Sequence, residues 1–473
     1  MAQSSAAQLQ PTAAERRRVI GATIVGTTVE WYDFFIYANM AALVFNHLFF
    51  EPAGAQYATL WSLFSIGLSF LFRPLGAFLA GHFGDKIGRK PMLVLTLLLM
   101  GGATTLIGFL PTYAAIGIAA PILLILLRIL QGISAGGEWG GAVLMAVEHA
   151  PYGRRGVYGM YPQLGVPLGM ILASGMIALV SGISPLISDT FFDEWGWRIP
   201  FIFSIVLIAV GYWVRRSVEE SPVFKEIAQD AEQQSAPIVV VFKKYGWLVV
   251  LCAFIFAGNN AAGYMTTGGF LQGYATGSIE GSLLTMDRTL VLGFVTIASA
   301  VWFFSTLASG YISDAIGRRK TFIIGWLGQL VAVWILFPLV NQGQDNPLMF
   351  LLAVSLFAIP LGLCYGPVSS WYAETFPASV RYSGVSISYA IGAIIGGAFA
   401  PFIAQALLQA YGSWVAISIY LTAVTLLSLA ATFLLRARDN VPLDHSFETD
   451  GDWEGFVADE GAKRKPDMAG IGK

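Results

Sequence analysis

Charge is what this sequence has least of. Only 12% of its 473 residues are Asp, Glu, Lys or Arg, while 56% are hydrophobic and mean hydropathy is +0.66. Soluble domains carry about a quarter charged residues, so the shortage points to a membrane protein. Cysteine is nearly missing: Cys252 and Cys364 both lie in apolar runs, read as core residues, and leave the redox compartment open. The four histidines, His47, His82, His149 and His445, are scattered and form no metal-ligand cluster. There is no G-x-x-x-x-G-K-[ST] loop and no H-E-x-x-H, so ATP-driven pumping and zinc hydrolysis have no support, and no cofactor is expected. A net charge of −2 points to no nucleic-acid partner. No cleavable signal is evident, because the apolar run after Arg16–Arg18 is too long for one.

What the chain has instead is long apolar runs. A helix needs about 20 mainly apolar residues to cross the hydrocarbon of a bilayer, and twelve such runs lie between residues 19 and 435. The expected fold is therefore an all-α membrane protein of twelve transmembrane helices in two six-helix repeats. With the N-terminus placed in the cytoplasm, every Lys and Arg except Arg73, Arg128, Arg198 and Arg288 falls on the inner side. Of those four, Arg73 and Arg128 lie within the membrane and only Arg198 and Arg288 fall outside. That bias puts both termini in the cytoplasm. The organisation read from this is a cytoplasmic N-terminus over 1–18, a six-helix bundle over 19–215, a cytoplasmic linker with a short helix over 216–245, a second bundle over 246–435, and an acidic, disordered tail over 436–473.

The division into halves rests on repeats. G-H-F-G-D-K-I-G-R-K-P begins at Gly81, and G-Y-I-S-D-A-I-G-R-R-K begins at Gly310, which sets Asp85 and Asp314 close to half the chain apart. Glu148 and Arg155 return as Glu374 and Arg381 at almost the same offset. Two motifs sharing nearly one offset indicate a 6+6 duplication, the build of one large class of secondary transporter. The aspartate of each loop sits at a cytoplasmic helix end, where it can accept from a neighbouring arginine or a helix N-terminus. Asp85, Arg89, Lys90, Asp314 and Arg318 are thus expected to form a cytoplasmic gate, with Glu148–Arg155 and Glu374–Arg381 as latch pairs.

Inside the membrane the few charges carry the chemistry. A charge at the bilayer centre costs about 2.5–3.5 kcal/mol on the insertion scale, yet Glu30, Asp33, Arg73, Arg128 and Glu138 all fall deep in the first half. Glu30, Asp33 and Tyr37 share a helix face, and Gln131 and Glu138 share another. Three acids and two bases cannot pair one to one. The carboxylate left over, one of Glu30, Asp33 and Glu138, can carry a coupling proton. Arg128, with Arg73 as a candidate helper, holds a substrate carboxylate. The second half offers neutral groups instead: Asn259, Asn260, Tyr264, Tyr365 and Tyr389. Gly132-Ile-Ser-Ala-Gly136 matches a hydrolase nucleophile motif, but it lies within an apolar helix and reads as close helix packing.

At this point the residues resemble a known family. The repeated loop is similar to that of the major facilitator superfamily. E-W-Y-D-F at 30–34, F-R-P-L-G at 72–76, R-I-L-Q-G-I-S-A-G-G-E-W-G-G at 128–141, G-W-R-I-P-F at 196–201 and A-E-T-F-P-A-S-V-R-Y-S-G at 373–384 resemble its metabolite:proton symporter family. The first half is most similar to shikimate carriers. The resemblance implies a multi-pass protein of the bacterial inner membrane, working as a monomer. It would import a small organic acid, shikimate-like or another carboxylate, with a proton as the coupling ion. A proline/betaine-type zwitterion or a di- or tricarboxylate such as α-ketoglutarate or citrate is the alternative. Ala315, where the first loop has Lys86, departs from the loop pattern.

Overall fold

The computed structural model describes residues 13–87, 89–136, 138–216 and 237–443, without the side chains of 13–16, 19, 55–56, 80–93, 137–138, 215–216, 237–239 and 266–267. Every regular element among the described residues is helical. Hydrocarbon offers the backbone no hydrogen-bond partners, so a spanning segment must satisfy its own. Ten helices are long and apolar enough to cross a membrane, and Val94–Phe109 is a shorter apolar one. The first helix, Ala13–Leu43, made more polar by Glu30, Asp33 and Asn39, completes a set of twelve among the described residues.

In chain order the second to sixth helices are Ala55–Ile87, Arg89–Phe109, Ala119–Glu148, Arg155–Ile187 and Arg198–Arg216. The seventh to twelfth are Pro237–Thr267, Arg288–Ile316, Arg318–Gln342, Pro347–Thr375, Arg381–Tyr411 and Trp414–Leu434. The tenth bends where Gly366 and Pro367 part Pro347–Tyr365 from Val368–Thr375. The eleventh carries a π-helical segment, Ala393–Ala398, around Gly396 and Gly397.

Small residues set how closely the helices approach. A Cβ on Gly132 would overlap the Ser69 backbone, and one on Gly136 would overlap the Arg73 carbonyl, so the second and fourth helices touch main chain to main chain. This is the packing role expected of the G-x-S-x-G match. Gly165 and Gly169 of the fifth helix bring it equally close to Thr27, Thr28, Trp31 and Tyr32 of the first. The halves meet along the fifth and eighth helices, where Ser174 Oγ and Thr296 Oγ1 lie 2.8 Å apart and Thr289 Oγ1 donates to Ser181 Oγ at 3.1 Å.

Two expectations fall partly or wholly outside the described residues. The short linker helix would lie within 217–236, which is undescribed, while 237–245 already belong to the seventh helix. The disordered tail needs correction at its start. Residues 436–443 are packed beneath the bundle, with Arg438, Val441 and Leu443 buried. Backbone carbonyls hold the segment: Arg155 donates to the Val441 carbonyl, and Arg381 Nη1 donates to the Leu443 carbonyl at 2.9 Å. Its sequence, R-A-R-D-N-V-P-L, gives no hint that this segment supplies backbone acceptors to buried arginines. Residues 444–473 are undescribed.

Candidate functional site

Glu30, Asp33, Arg73 and Arg128 converge on one small cavity, lined also by Ser69 and Gln131 together with Phe34, Met100 and Ala135. Their partners separate them sharply. Glu30 Oε1 is 3.4 Å from Arg73 Nη2, and the Arg73 guanidinium lies over the Phe70 ring at 4.4 Å and the Trp31 ring at 5.8 Å. Asp33 has no cation at ion-pair distance among the described residues. It accepts instead from two hydroxyls: Ser204 Oγ to Oδ1 at 2.8 Å and Thr104 Oγ1 to Oδ2 at 2.9 Å.

Arg128 is the mirror case. Its guanidinium faces no carboxylate at ion-pair distance among the described residues. Nη1 donates to Gln131 Oε1 at 3.0 Å and Nη2 to the Ile66 carbonyl at 3.2 Å, while Nε meets no acceptor among the described residues. Aromatic faces support it, with Tyr37 at 4.1 Å and Phe34 at 5.2 Å. Cation–π contact of this kind is worth about 2 kcal/mol or more when desolvated. Tyr37 is fixed in turn by Ser65 Oγ, 2.7 Å from its hydroxyl. Among the described residues, two acids and two bases resolve as one ion pair plus one lone carboxylate and one lone guanidinium. Glu138 cannot be placed in this scheme, since its side chain lies outside the described residues.

Aromatic and neutral polar groups of the second half pack beside this cavity, against its lining residue Phe34 and the neighbouring Trp31. Tyr264 stacks on Trp31 with ring centroids 5.9 Å apart and packs on Phe34 at 5.3 Å, so residues from both halves meet there. Trp139 stacks on Tyr389 at 3.5 Å, and Phe256 packs against Tyr389 at 4.4 Å. The Tyr264 hydroxyl, Asn260 Nδ2 and Trp31 Nε1 are buried and meet no partner at hydrogen-bonding geometry among the described residues, whereas the Tyr389 hydroxyl lies within reach of the Tyr365 hydroxyl and the Arg73 guanidinium. Buried polar groups are almost always satisfied, so Tyr264, Asn260 and Trp31 each keep a polar atom open to a further partner. Asn259 is different: its Nδ2 donates to the Leu361 carbonyl at 2.9 Å, which ties the seventh helix to the tenth. Sequence reasoning missed Thr104, Ser204, Trp31 and Trp139. The tryptophans were visible within E-W-Y-D-F and G-G-E-W-G-G, whereas a single Thr or Ser in an apolar helix gives no signal.

The cytoplasmic motifs form a second assembly. Asp314 accepts from the backbone N–H groups of Gly156 at 2.8 Å and Val157 at 2.9 Å, so an aspartate of the second half caps the fifth helix of the first. Arg318 Nη1 reaches Asp314 at 2.6 Å, and its Nε and Nη2 grip the two oxygens of Glu374, each at 3.2 Å. The latch pairing needs correction. Glu148 pairs with Arg381 at 3.5 Å, and Arg155 lies 3.7 Å from Glu374. The partners are exchanged between the repeats, because each arginine opens a helix that packs on the opposite half. Asp85, Arg89 and Lys90 have side chains outside the described residues. On the opposite side Arg288 and Asp193 bridge the halves at 3.5 Å, with Arg288 over the Phe192 ring at 4.4 Å.

Two bundles bridged at both ends, with a buried polar cavity in the first, suit a carrier, and comparison with known proteins agrees. The sequence matches the Major Facilitator Superfamily over residues 23–387, with a second match over 287–466. The chain belongs to the major facilitator superfamily. It is 40% identical to the inner membrane metabolite transport protein YhjE of Escherichia coli over 422 residues, 89% of this chain and 94% of that protein. It is 36% identical to the shikimate transporter of the same organism, again over 89% of this chain and 94% of that protein. The fold matches the proton:xylose symporter XylE of E. coli with a TM-score of 0.71 at 16% identity, covering 93% of this chain and 99% of that one. Its relatives in the superfamily are transporters and not enzymes, and the chain is a multi-pass membrane protein of that kind.

Proposed function

We propose that this chain imports a small organic acid together with a proton across a bacterial inner membrane, as a single-chain carrier with both termini in the cytoplasm. One observation carries the reading: a buried guanidinium, Arg128, and a buried carboxylate, Asp33, line one cavity, and neither has a charged partner among the described residues. An isolated buried charge is costly. A substrate carboxylate relieves that cost at Arg128, and a proton relieves it at Asp33. Glu30 is already paired with Arg73, which leaves Asp33 as the described carboxylate best placed for coupling. The unpartnered Tyr264 hydroxyl and Asn260 amide favour a substrate with hydroxyls of its own, which suits a shikimate-like acid. The relatives' names support the same class.

In this reading solute and proton shift the balance between two arrangements of the bundles. The exchanged pairs Glu148–Arg381 and Arg155–Glu374 hold the cytoplasmic side shut, and Asp193–Arg288 holds the other. Each set must break for its side to open. A second reading, a zwitterion carrier, draws on the stacked rings of Trp139, Tyr389 and Phe256, which can face a quaternary ammonium.

Purified protein in liposomes under an imposed inward proton gradient separates these readings. Shikimate, α-ketoglutarate, citrate, proline and betaine are offered in turn. Accumulation of shikimate that collapses with a protonophore supports the proposal, accumulation of betaine or proline supports the second reading, and uptake indifferent to the gradient removes proton coupling.

A further inference from the structure

The two lone charges are not isolated from each other. Between Arg128 on the fourth helix and Asp33 on the first runs an unbroken file of hydrogen bonds. Arg128 Nη1 donates to Gln131 Oε1 at 3.0 Å, Gln131 Nε2 donates to Thr104 Oγ1 at 2.6 Å, and Thr104 Oγ1 is 2.9 Å from Asp33 Oδ2. All four side chains are buried. An amide and a hydroxyl therefore stand where a direct ion pair would otherwise form. We infer that Thr104 and Gln131 are positioning residues that transmit the charge state of Arg128 to Asp33, so that binding an anion at one favours a proton at the other. The inference rests on the reading of these two charges given above.

The direction of each bond follows from donor and acceptor inventory. The guanidinium only donates, so Gln131 must present its oxygen to Arg128 and its amide to Thr104. With its oxygen accepting from Gln131, Thr104 has a single proton to give. It has two acceptors for that proton, both at 2.9 Å: Asp33 Oδ2 and the Met100 carbonyl one turn back. When Asp33 is charged, the proton points to it and every bond in the file runs from cation to anion. When Asp33 takes up a proton, its new O–H can donate to the second lone pair of Thr104, and the Thr104 proton turns to Met100. No proton leaves Thr104 in either state. The proton taken up comes from water on the open side and is returned to water on the other.

A substrate carboxylate at Arg128 removes the positive end of the file, so the anionic form of Asp33 loses support and its proton is held more tightly. By reciprocity a protonated Asp33 leaves Arg128 a better anion site. The other groups acting on Asp33 are accounted for. Glu30 lies on its own helix and is paired with Arg73 of the second. Tyr37 is turned to Ser65, and Tyr32 to the Pro200 carbonyl. The sixth helix contributes Ser204, which bonds Oδ1 and stands outside the file.

The test is an infrared titration of Asp33, identified as the carboxyl band that Asp33→Asn removes, in the full-length protein. Arg128→Gln is expected to raise the titration midpoint. In a Thr104→Val background the same change should move it by less than half as much, and Thr104→Ser should restore the wild-type response. Ser204→Ala should shift the midpoint while leaving the response to Arg128→Gln intact, which a general loosening of the site would not do. Equal responses with and without the Thr104 hydroxyl overturn the relay, as does an Asp33 band that does not titrate. Proton-driven uptake into liposomes is measured beside it. Uptake without the relay response leaves the proposed function standing alone, and the relay response without proton-driven uptake removes that function instead.

Discussion

Glu148 and Arg381 are 233 residues apart in sequence, sit in different bundles, and form an ion pair at 3.5 Å. Each is the repeat counterpart of a residue in the neighbouring pair, Glu374 and Arg155, at 3.7 Å. The duplication therefore does not build two separate latches. It builds one, in which each half supplies the acid for the other's arginine, and separating the bundles breaks both pairs at once.

Glu148→Gln should loosen the cytoplasmic closure. Loss of an interhalf pair worth about 1–2 kcal/mol shifts a two-state population roughly five- to thirtyfold. Cysteine labelling from the cytoplasmic side reads this out on a quiet background, because Cys252 and Cys364 are buried. Exchanging the charges, Glu148→Arg with Arg381→Glu, should recover part of the closure. Labelling unchanged in Glu148→Gln would show that the pair holds nothing.

Ending the chain after Leu435 should act in the same direction. It deletes Val441 and Leu443, whose carbonyls take hydrogen bonds from Arg155 and Arg381, and Asn440, whose N–H donates to Glu374 Oε1 at 3.1 Å. A buried donor left without its acceptor costs about 1–3 kcal/mol. The truncated protein is expected to melt several degrees lower and to label more readily from the cytoplasmic side. Removing only 444–473 serves as the control and should do much less.

Arg128→Lys should weaken substrate binding at least about tenfold, the equivalent of about 1.4 kcal/mol. A lysine keeps the charge but gives up both the planar fork that bonds Gln131 and Ile66 and the stacking on Tyr37 and Phe34. Equilibrium binding of labelled substrate checks it, and retention of wild-type affinity would move the anion site elsewhere.

Asp33→Asn should separate exchange from accumulation. Substrate exchange between equal internal and external pools needs no net proton movement and should persist, while accumulation against a gradient should fall to the level set by diffusion. Both are measured in the same liposomes. If accumulation survives, the coupling proton is carried by another group.

Gly397→Ala should displace Tyr264 where the two halves meet beside the cavity. A Cβ at this position would overlap the Tyr264 ring and press on Asn260 Cβ, 2.9 Å away. Overpacking typically costs about 1–3 kcal/mol. Substrate affinity should drop more than thermal stability does, because Tyr264 faces Trp31 and Phe34 at the junction of the halves. Equal losses in both would assign Gly397 to packing alone.

The class of this protein is legible in its residues alone. Apolar runs long enough for a bilayer, basic residues crowded on one side, and two motifs that repeat half a chain later are local or periodic properties. They need no knowledge of contacts to be read. The same holds for the charges that line the cavity, because Glu30, Asp33, Arg73 and Arg128 stand out against hydrocarbon. Their partners are another matter. Which carboxylate stands alone depends on Thr104 and Ser204 approaching from the third and sixth helices, and which arginine is paired depends on Gly132 and Gly136 letting the second helix touch the fourth. The latch pairing escapes the sequence for the same reason. Glu148 and Arg155 are near neighbours in the chain, but each helix end is turned toward the opposite bundle, and only the packing of the halves decides which charge each meets.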